Sequence, residues 1–202
     1  MTQVTESDYR TAQQSNARVR QEFLDAVNFE GHNTNPKVIY VYPNHPIVVD
    51  FYKKHNLPME GKVMSIPYGP EEAVRIHVFR KAFDLPFNDF LNVLIHHEGH
   101  HVRQVLAGFS RKIASWGIPM DLMGDDYQAS LLELPALQNQ INPASRRALT
   151  NEELSRIELR IGDAEDSLEC SGPYFHRNWK ADLASVLLPS PIDDIVREKY
   201  EL

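Results

Sequence analysis

The chain has 202 residues, which suits one domain, or one domain carrying an extra arm, and can bury about 70% of its unfolded surface without metals or disulfides. Hydrophobic residues make up 42% and charged residues 24%, which excludes a disordered or fibrous protein; the net charge of −7 argues against phosphate-backbone binding as the main task. The lone cysteine, Cys170, excludes an intramolecular disulfide framework and fits a reducing compartment. No stretch approaches the ~20 consecutive apolar residues of a membrane-spanning helix. The first residues, Met1-Thr2-Gln3-Val4-Thr5-Glu6-Ser7-Asp8, lack the basic start and apolar core of a signal peptide. The expectation is a cytoplasmic protein with neither a membrane nor a nucleic-acid partner.

In chain order, Ala12, Ala17, Val19, Phe23, Ala26 and Val27 recur at helical spacing and predict one helix from about Ser7 to Phe29. Gly, Asn and Pro between Gly31 and Pro36 break it. Lys37-Val38-Ile39-Tyr40-Val41-Tyr42 is β-branched and aromatic and reads as a strand. Residues 47–54 are ambiguous. Lys62 to Ile66 is a second candidate strand, followed by a Pro67-Tyr68-Gly69-Pro70 turn. Ala73 to Phe79 is a third, with Val74, Ile76 and Val78 alternating against Arg75, His77 and Phe79.

A long helix is expected from Leu85-Pro86-Phe87-Asn88-Asp89 to about Gly108, with Asn88 or Asp89 as N-cap. Further helical pattern covers about Asp126 to Ile141, where Pro135 implies a kink or a later start. Thr150-Asn151-Glu152-Glu153 has the form of a capping box, opening a helix through Leu154, Ile157, Ile161 and Leu168 until Gly172-Pro173. Helices near 178–188 and 191–199 close the chain, the last begun by Ser190-Pro191. The order predicts an α+β fold. It comprises a single domain over 1–202: an N-terminal helical arm (1–35), a small sheet with the long helix (36–108) and a helical remainder (109–202).

Four of the nine histidines fall in His96-His97-Glu98-Gly99-His100-His101, inside the long helix. Residues four apart share a helix face, so either 96 with 100 or 97 with 101 could chelate a metal. At about 100° per residue, Leu94, His97, His101 and Val105 fall within about 40° of Phe90, whereas His96 and His100 fall with Asp89, Asn92 and Arg103. The projection therefore assigns His97 and His101 to the apolar face and leaves His96 and His100 on the polar face, either solvated or supporting the ligands from behind. The buried pair reads His97-Glu98-x-x-His101, the H-E-x-x-H zinc signature. Two imidazoles one turn apart can each place a nitrogen at about 2.0–2.1 Å from one Zn²⁺. Glu98 is rotated about 100° from the first histidine, too far to be a ligand but placed to take a proton from an activated water. Gly99 leaves room beside the site, at about 1 kcal/mol relative to Ala at mid-helix.

On these residues the chain resembles the zincin metallopeptidases, over about residues 37–141. The resemblance implies a small sheet before the active-site helix, a bound Zn²⁺, a peptide or protein substrate, and a strand that aligns that substrate by β-augmentation. Ala73–Phe79 or Lys62–Ile66 would be that strand. The metzincin pattern would need Gly at 104 and His at 107, where the chain has Gln104 and Ala107. The gluzincin branch implies a glutamate from a following helix, and Glu133 in Leu131-Leu132-Glu133-Leu134-Pro135-Ala136 fits best. A carboxylate in so apolar a stretch is costly to bury unless a cation meets it. The acidic residue that gluzincins often carry four positions later is Leu137 here. Asp125, Asp126 and His176 are weaker candidates for the third ligand. Tyr127, Tyr174 and His176 are candidates for steadying the oxyanion of a tetrahedral intermediate. The expected function is a zinc-dependent metallopeptidase with Glu98 as general base. The alternatives are a zinc hydrolase of a non-peptide amide or ester, and a zincin-fold binding or regulatory protein whose metal is structural or absent.

Overall fold

Thr5 opens the first helix, α1 (Glu6–Gln14), by a reciprocal cap: its hydroxyl accepts the Asp8 N–H at 3.2 Å, and the Asp8 carboxylate takes the Thr5 N–H at 2.8 Å. Bonds donated to the Asp8 carboxylate by the Thr5 hydroxyl, at 2.7 Å, and by the Thr5 N–H hold this exposed carboxyl below its ordinary range. The computed structural model describes residues 3–29, 36–42, 63–66, 74–119 and 121–202. The ambiguous stretch 47–54 and the turn expected at Pro67–Pro70 lie outside them. The single helix expected from Ser7 to Phe29 is two helices. Asn16 turns its side-chain oxygen onto the N–H groups of Arg18 and Val19, at 3.1 and 3.3 Å, and starts α2 (Ala17–Asp25) afresh. Apolar periodicity on both sides of Asn16 conceals that break.

The contacts of the chain fall into two compact units, Met1–Gly99 and His100–Leu202. In the first, β1 (Lys37–Val41), β2 (Val63–Ile66) and β3 (Arg75–Phe79) form a sheet in the order β1-β3-β2. β1 runs parallel to β3, pairing Lys37 with Arg75 and Val41 with Phe79; β2 runs antiparallel, pairing Val63 with Val78 and Ile66 with Arg75. The alternation expected of β3 does not appear as alternating burial: Ile76, His77, Val78 and Phe79 are all buried. A central strand is covered on both faces, so neither side needs to be polar. Beside β1, the Gln21 amide donates to the Val38 carbonyl (2.9 Å) and accepts from the Tyr40 N–H (2.8 Å), satisfying edge groups as a fourth strand would. Tyr9, Phe83 and Phe90 pack with ring centroids 5.1–5.9 Å apart, and the Tyr9 hydroxyl donates to the Leu85 carbonyl at 2.7 Å. Burial pushes that phenol well above its ordinary pKa.

The long helix begins at α3 (Phe87–Leu91) with Pro86, rather than Asn88 or Asp89, in the capping position; Asp89 is buried. From Asn92 to Glu98 the turns widen to a π-helix, the Gly99 N–H reaching back to the Leu94 carbonyl, and α4 (Gly99–Leu106) follows. β2 lies against the π segment.

In the second unit, Gly108 (φ +77°) permits a turn into α5 (Phe109–Ala114), a helix the hydrophobic pattern does not announce. Asp121 caps α6 (Leu122–Gln140), accepting the Gly124 N–H at 2.8 Å. This helix starts before the expected Asp126 and continues through Pro135. An interior proline costs about 3 kcal/mol, and burial of Leu131, Leu134, Ala136 and Leu137 on the same helix opposes that cost. Thr150 caps α7 (Asn151–Tyr174) by accepting the Glu153 N–H at 3.2 Å, while the Glu153 carboxylate pairs with Arg156. Gly172-Pro173 does not stop α7, as expected, but lies within its last turn. A Cβ on Gly172 would approach the Arg177 carbonyl at 3.3 Å and Trp179 at 3.4 Å, so this glycine serves close packing. α8 (Trp179–Ser185) and α9 (Pro191–Tyr200) follow, capped by Asn178 and Ser190. The core of the unit joins Tyr127, Leu131, Leu134 and Leu137 of α6 to Ile157, Ile161 and Leu168 of α7, with Leu183, Val186 and Val196. The fold class is α+β. Among the described residues, no helix is long and apolar enough to cross a membrane.

Candidate metal centre

The donor atoms of His97, His101 and Glu133 all lie within 4.8 Å of one another. His97 and Glu98 are the last two residues of the π segment and both are buried; His101 stands in the first turn of α4 with its side chain 13% exposed. Glu133 enters from the middle of α6, one carboxylate oxygen 3.1 Å from His101 Nε2. Its other oxygen accepts a bond from Arg160 of α7 at 2.8 Å, so the acid in the apolar stretch meets a cation and stays about one-third exposed. One carboxylate oxygen of Glu133 thus faces His101 and the other faces Arg160.

Gln104 decides which nitrogen of His101 faces the group. Its amide nitrogen donates to the Leu132 carbonyl at 3.0 Å, which turns its oxygen to His101 Nδ1 at 2.8 Å. An amide oxygen only accepts, so Nδ1 carries a proton there and Nε2 is the nitrogen presented to Glu133. In the sequence Gln104 appeared only as the residue that breaks the metzincin pattern. Its signal was available: a polar residue three positions after His101, on a helix face that burial then seals. Arg160 had no such signal, because its pairing with Glu133 spans 27 positions and a helix–helix packing.

The solvated reading of His96 and His100 is corrected. His96 is half-buried and His100 fully buried. The His100 ring faces Arg103 Nη2 at 3.0 Å through Nδ1, and Asp193 of α9 at 3.6 Å through Nε2. The physical reason is twofold. Bonds from i to i+5 widen each turn, so a projection at 100° per residue slips across the π segment. In addition, α9 supplies a carboxylate where water was expected. The Asp193 carboxyl is pushed up to about 6 by burial, opposed by its bond from the Leu188 N–H and by the charges of Arg103 and Arg197. Burial also lowers the Arg103 guanidinium, and Asp193 opposes that shift.

The structure does not gather the other expected residues into this group. Tyr127 precedes Glu133 by six helical positions, about 240° round the helix, and its buried hydroxyl donates to Asp182 at 2.7 Å. Burial and Asp182 together push that phenol far above its ordinary pKa, the opposite of a ready proton donor. His176 is exposed just beyond α7, in the left-handed region at φ +55°, and Tyr174 is exposed. Asp125 and Asp126 are exposed near the start of α6, and Leu137 belongs to the core.

No family model, curated protein or solved structure matches the chain.

Proposed function

We propose that the protein is a zinc-dependent metallopeptidase of gluzincin-like, zincin fold, in which His97, His101 and Glu133 hold the metal and Glu98 is the general base. The convergence of two imidazoles one turn apart with a carboxylate from another helix carries this reading. The donor set suits zinc. Tetrahedral coordination with bonds of about 2.1 Å sets neighbouring donors about 3.4 Å apart, and His101 Nε2 and Glu133 already stand at 3.1 Å. Zinc bound there would polarise a carbonyl and lower the pKa of water. Glu98 accepts the proton of the attacking water and returns it to the leaving amine as the peptide C–N bond breaks. Gln104 holds His101 in the ligating tautomer, and Arg160 fixes the outer oxygen of Glu133.

The sheet supports the same reading and favours β2 over β3 as the strand beside the substrate. β3 is flanked on both sides, whereas β2 pairs only with β3 among the described residues and lies against the π segment. An extended peptide would therefore add beside β2.

The test is metal analysis of native protein and of Glu98→Gln, with cleavage of a peptide library. We expect one zinc per chain in both, and a fall of about 10²–10⁴-fold in cleavage for the variant. Protein that takes up no zinc and cleaves nothing on zinc addition overturns the proposal. The Arg160 pair favours a second reading, in which Glu133 is a structural ion-pair partner rather than a ligand. Zinc affinity unchanged in Glu133→Ala would select it.

A further inference from the structure

In the C-terminal unit, α4 carries His101 and α6 carries Glu133, and the last helix, α9, meets both. Toward α4, Asp193 of α9 faces His100 Nε2 at 3.6 Å, while Arg103 Nη2 bonds His100 Nδ1 at 3.0 Å. A guanidinium only donates, so Nδ1 accepts and Nε2 carries the proton presented to the carboxylate. Toward α6, the Gln138 amide donates to the Tyr200 hydroxyl at 3.1 Å. Val196 and Tyr200 of α9 share one core with Leu134 and Leu137 of α6.

We infer that Asp193 is a positioning residue for the metal: through His100 it fixes α4, and with it the separation of His101 from Glu133. The inference rests on the zinc reading of that group. Spacing is the first reason. Zinc–ligand bonds vary by only about 0.2 Å, so a site that draws ligands from two helices needs those helices held. α4 also meets α6 directly, through Gln104 to the Leu132 carbonyl and through His101 to Glu133. The second of these contacts is the one a metal ion would replace. α9 supplies a tie that metal binding leaves in place.

The second reason is the order of residues along α4. His100 and Arg103 are three apart and share a face, as do His101 and Gln104 one position on. A single turn thus offers one pair to α9 and the other to α6. Any rotation of α4 that carries His101 off Glu133 also carries His100 off Asp193. Both side chains of that outer contact are sealed from water, where a polar contact is stronger than in solvent. Coupling of this kind is reciprocal, so bound metal should tighten α9 as α9 tightens the metal.

The test uses the full chain with zinc, or with Co²⁺ as a spectroscopic substitute. Asp193→Ala removes the contact. Asp193→Asn keeps an oxygen for the Leu188 N–H but takes the charge away from His100. Both should bind zinc about tenfold or more weakly in competition with a chelator, and both should shift the visible absorption of bound Co²⁺. Where Asp193→Ala fails to fold, Asp193→Asn carries the comparison. In the wild type, zinc should slow amide exchange in α9 more than in α1. Asp193→Asn with wild-type zinc affinity and an unchanged Co²⁺ spectrum overturns the inference, as does exchange in α9 that zinc leaves unaltered. Wild-type protein that binds neither ion defeats the zinc reading itself, and the inference falls with it.

Discussion

His100 and His101 are neighbours on one helix, and each faces a carboxylate from elsewhere in the C-terminal unit. His101 is 3.1 Å from Glu133, at a place where the acid remains one-third exposed and a cleft opens beside it. His100 is 3.6 Å from Asp193, with both side chains sealed from water. The difference is one of exchange. A partly solvated His–Glu pair can trade a proton for a metal ion at little cost in desolvation. The sealed pair has no such route: His100 Nδ1 accepts from Arg103, and the Asp193 carboxylate accepts from the Leu188 N–H. Similar chemistry therefore leaves one pair open to solvent and seals the other between α4 and α9.

The sharpest test of that contrast is stability. Removing the buried Asp193 carboxylate leaves the Leu188 N–H without its acceptor and Arg103 without the charge that faces it, at about 3 kcal/mol. Asp193→Ala should lower the unfolding free energy by that amount in urea titration. A cost within about 1 kcal/mol would show that water reaches the pair and would break the contrast. Next comes pH. The Asp193 carboxyl is raised in the folded state, from an ordinary 3.8 to about 6, so between those values the folded chain holds more proton than the unfolded chain. Its contribution to stability therefore falls as pH rises from about 4 to about 6 and levels off above, by on the order of 2–3 kcal/mol. Asp193→Asn should flatten this part of the profile, and an unchanged slope would mean that other groups set it.

On the His101 side the expected losses are in affinity. Gln104→Leu removes the acceptor that fixes the ring tautomer and should weaken zinc binding about 10–100-fold, measured by competition with a chelator. Smallest of all, Glu133→Ala should cost the metal-free protein no more than about 1 kcal/mol, since an exposed ion pair contributes little. A loss as large as that of Asp193→Ala would make Glu133 a structural residue like its counterpart.

The elements read correctly from the sequence rest on interactions a few residues long. Thr150 and Ser190 announce helix starts because each hydroxyl reaches an N–H three positions on. The β-branched run at Lys37–Val41 needs no distant partner to be recognised as a strand. Asn16 carried an equally local signal, yet the apolar spacing around it suggested one continuous helix. At Pro135 and Gly172-Pro173 local rules predicted interruption, and burial against neighbouring helices prevailed.

The convergence of His97, His101 and Glu133 was legible because two histidines four apart share a helix face and an acid in an apolar stretch requires a reason. What only the tertiary structure decided is who stands opposite them. The π segment turns His100 away from solvent, Asp193 meets it from the last helix, Gln104 sets the His101 tautomer, and Arg160 takes the second oxygen of Glu133. Helix spacing and caps are set by neighbours along the chain. These partners are set by helices packing across tens of residues, a choice made by buried area and charge together.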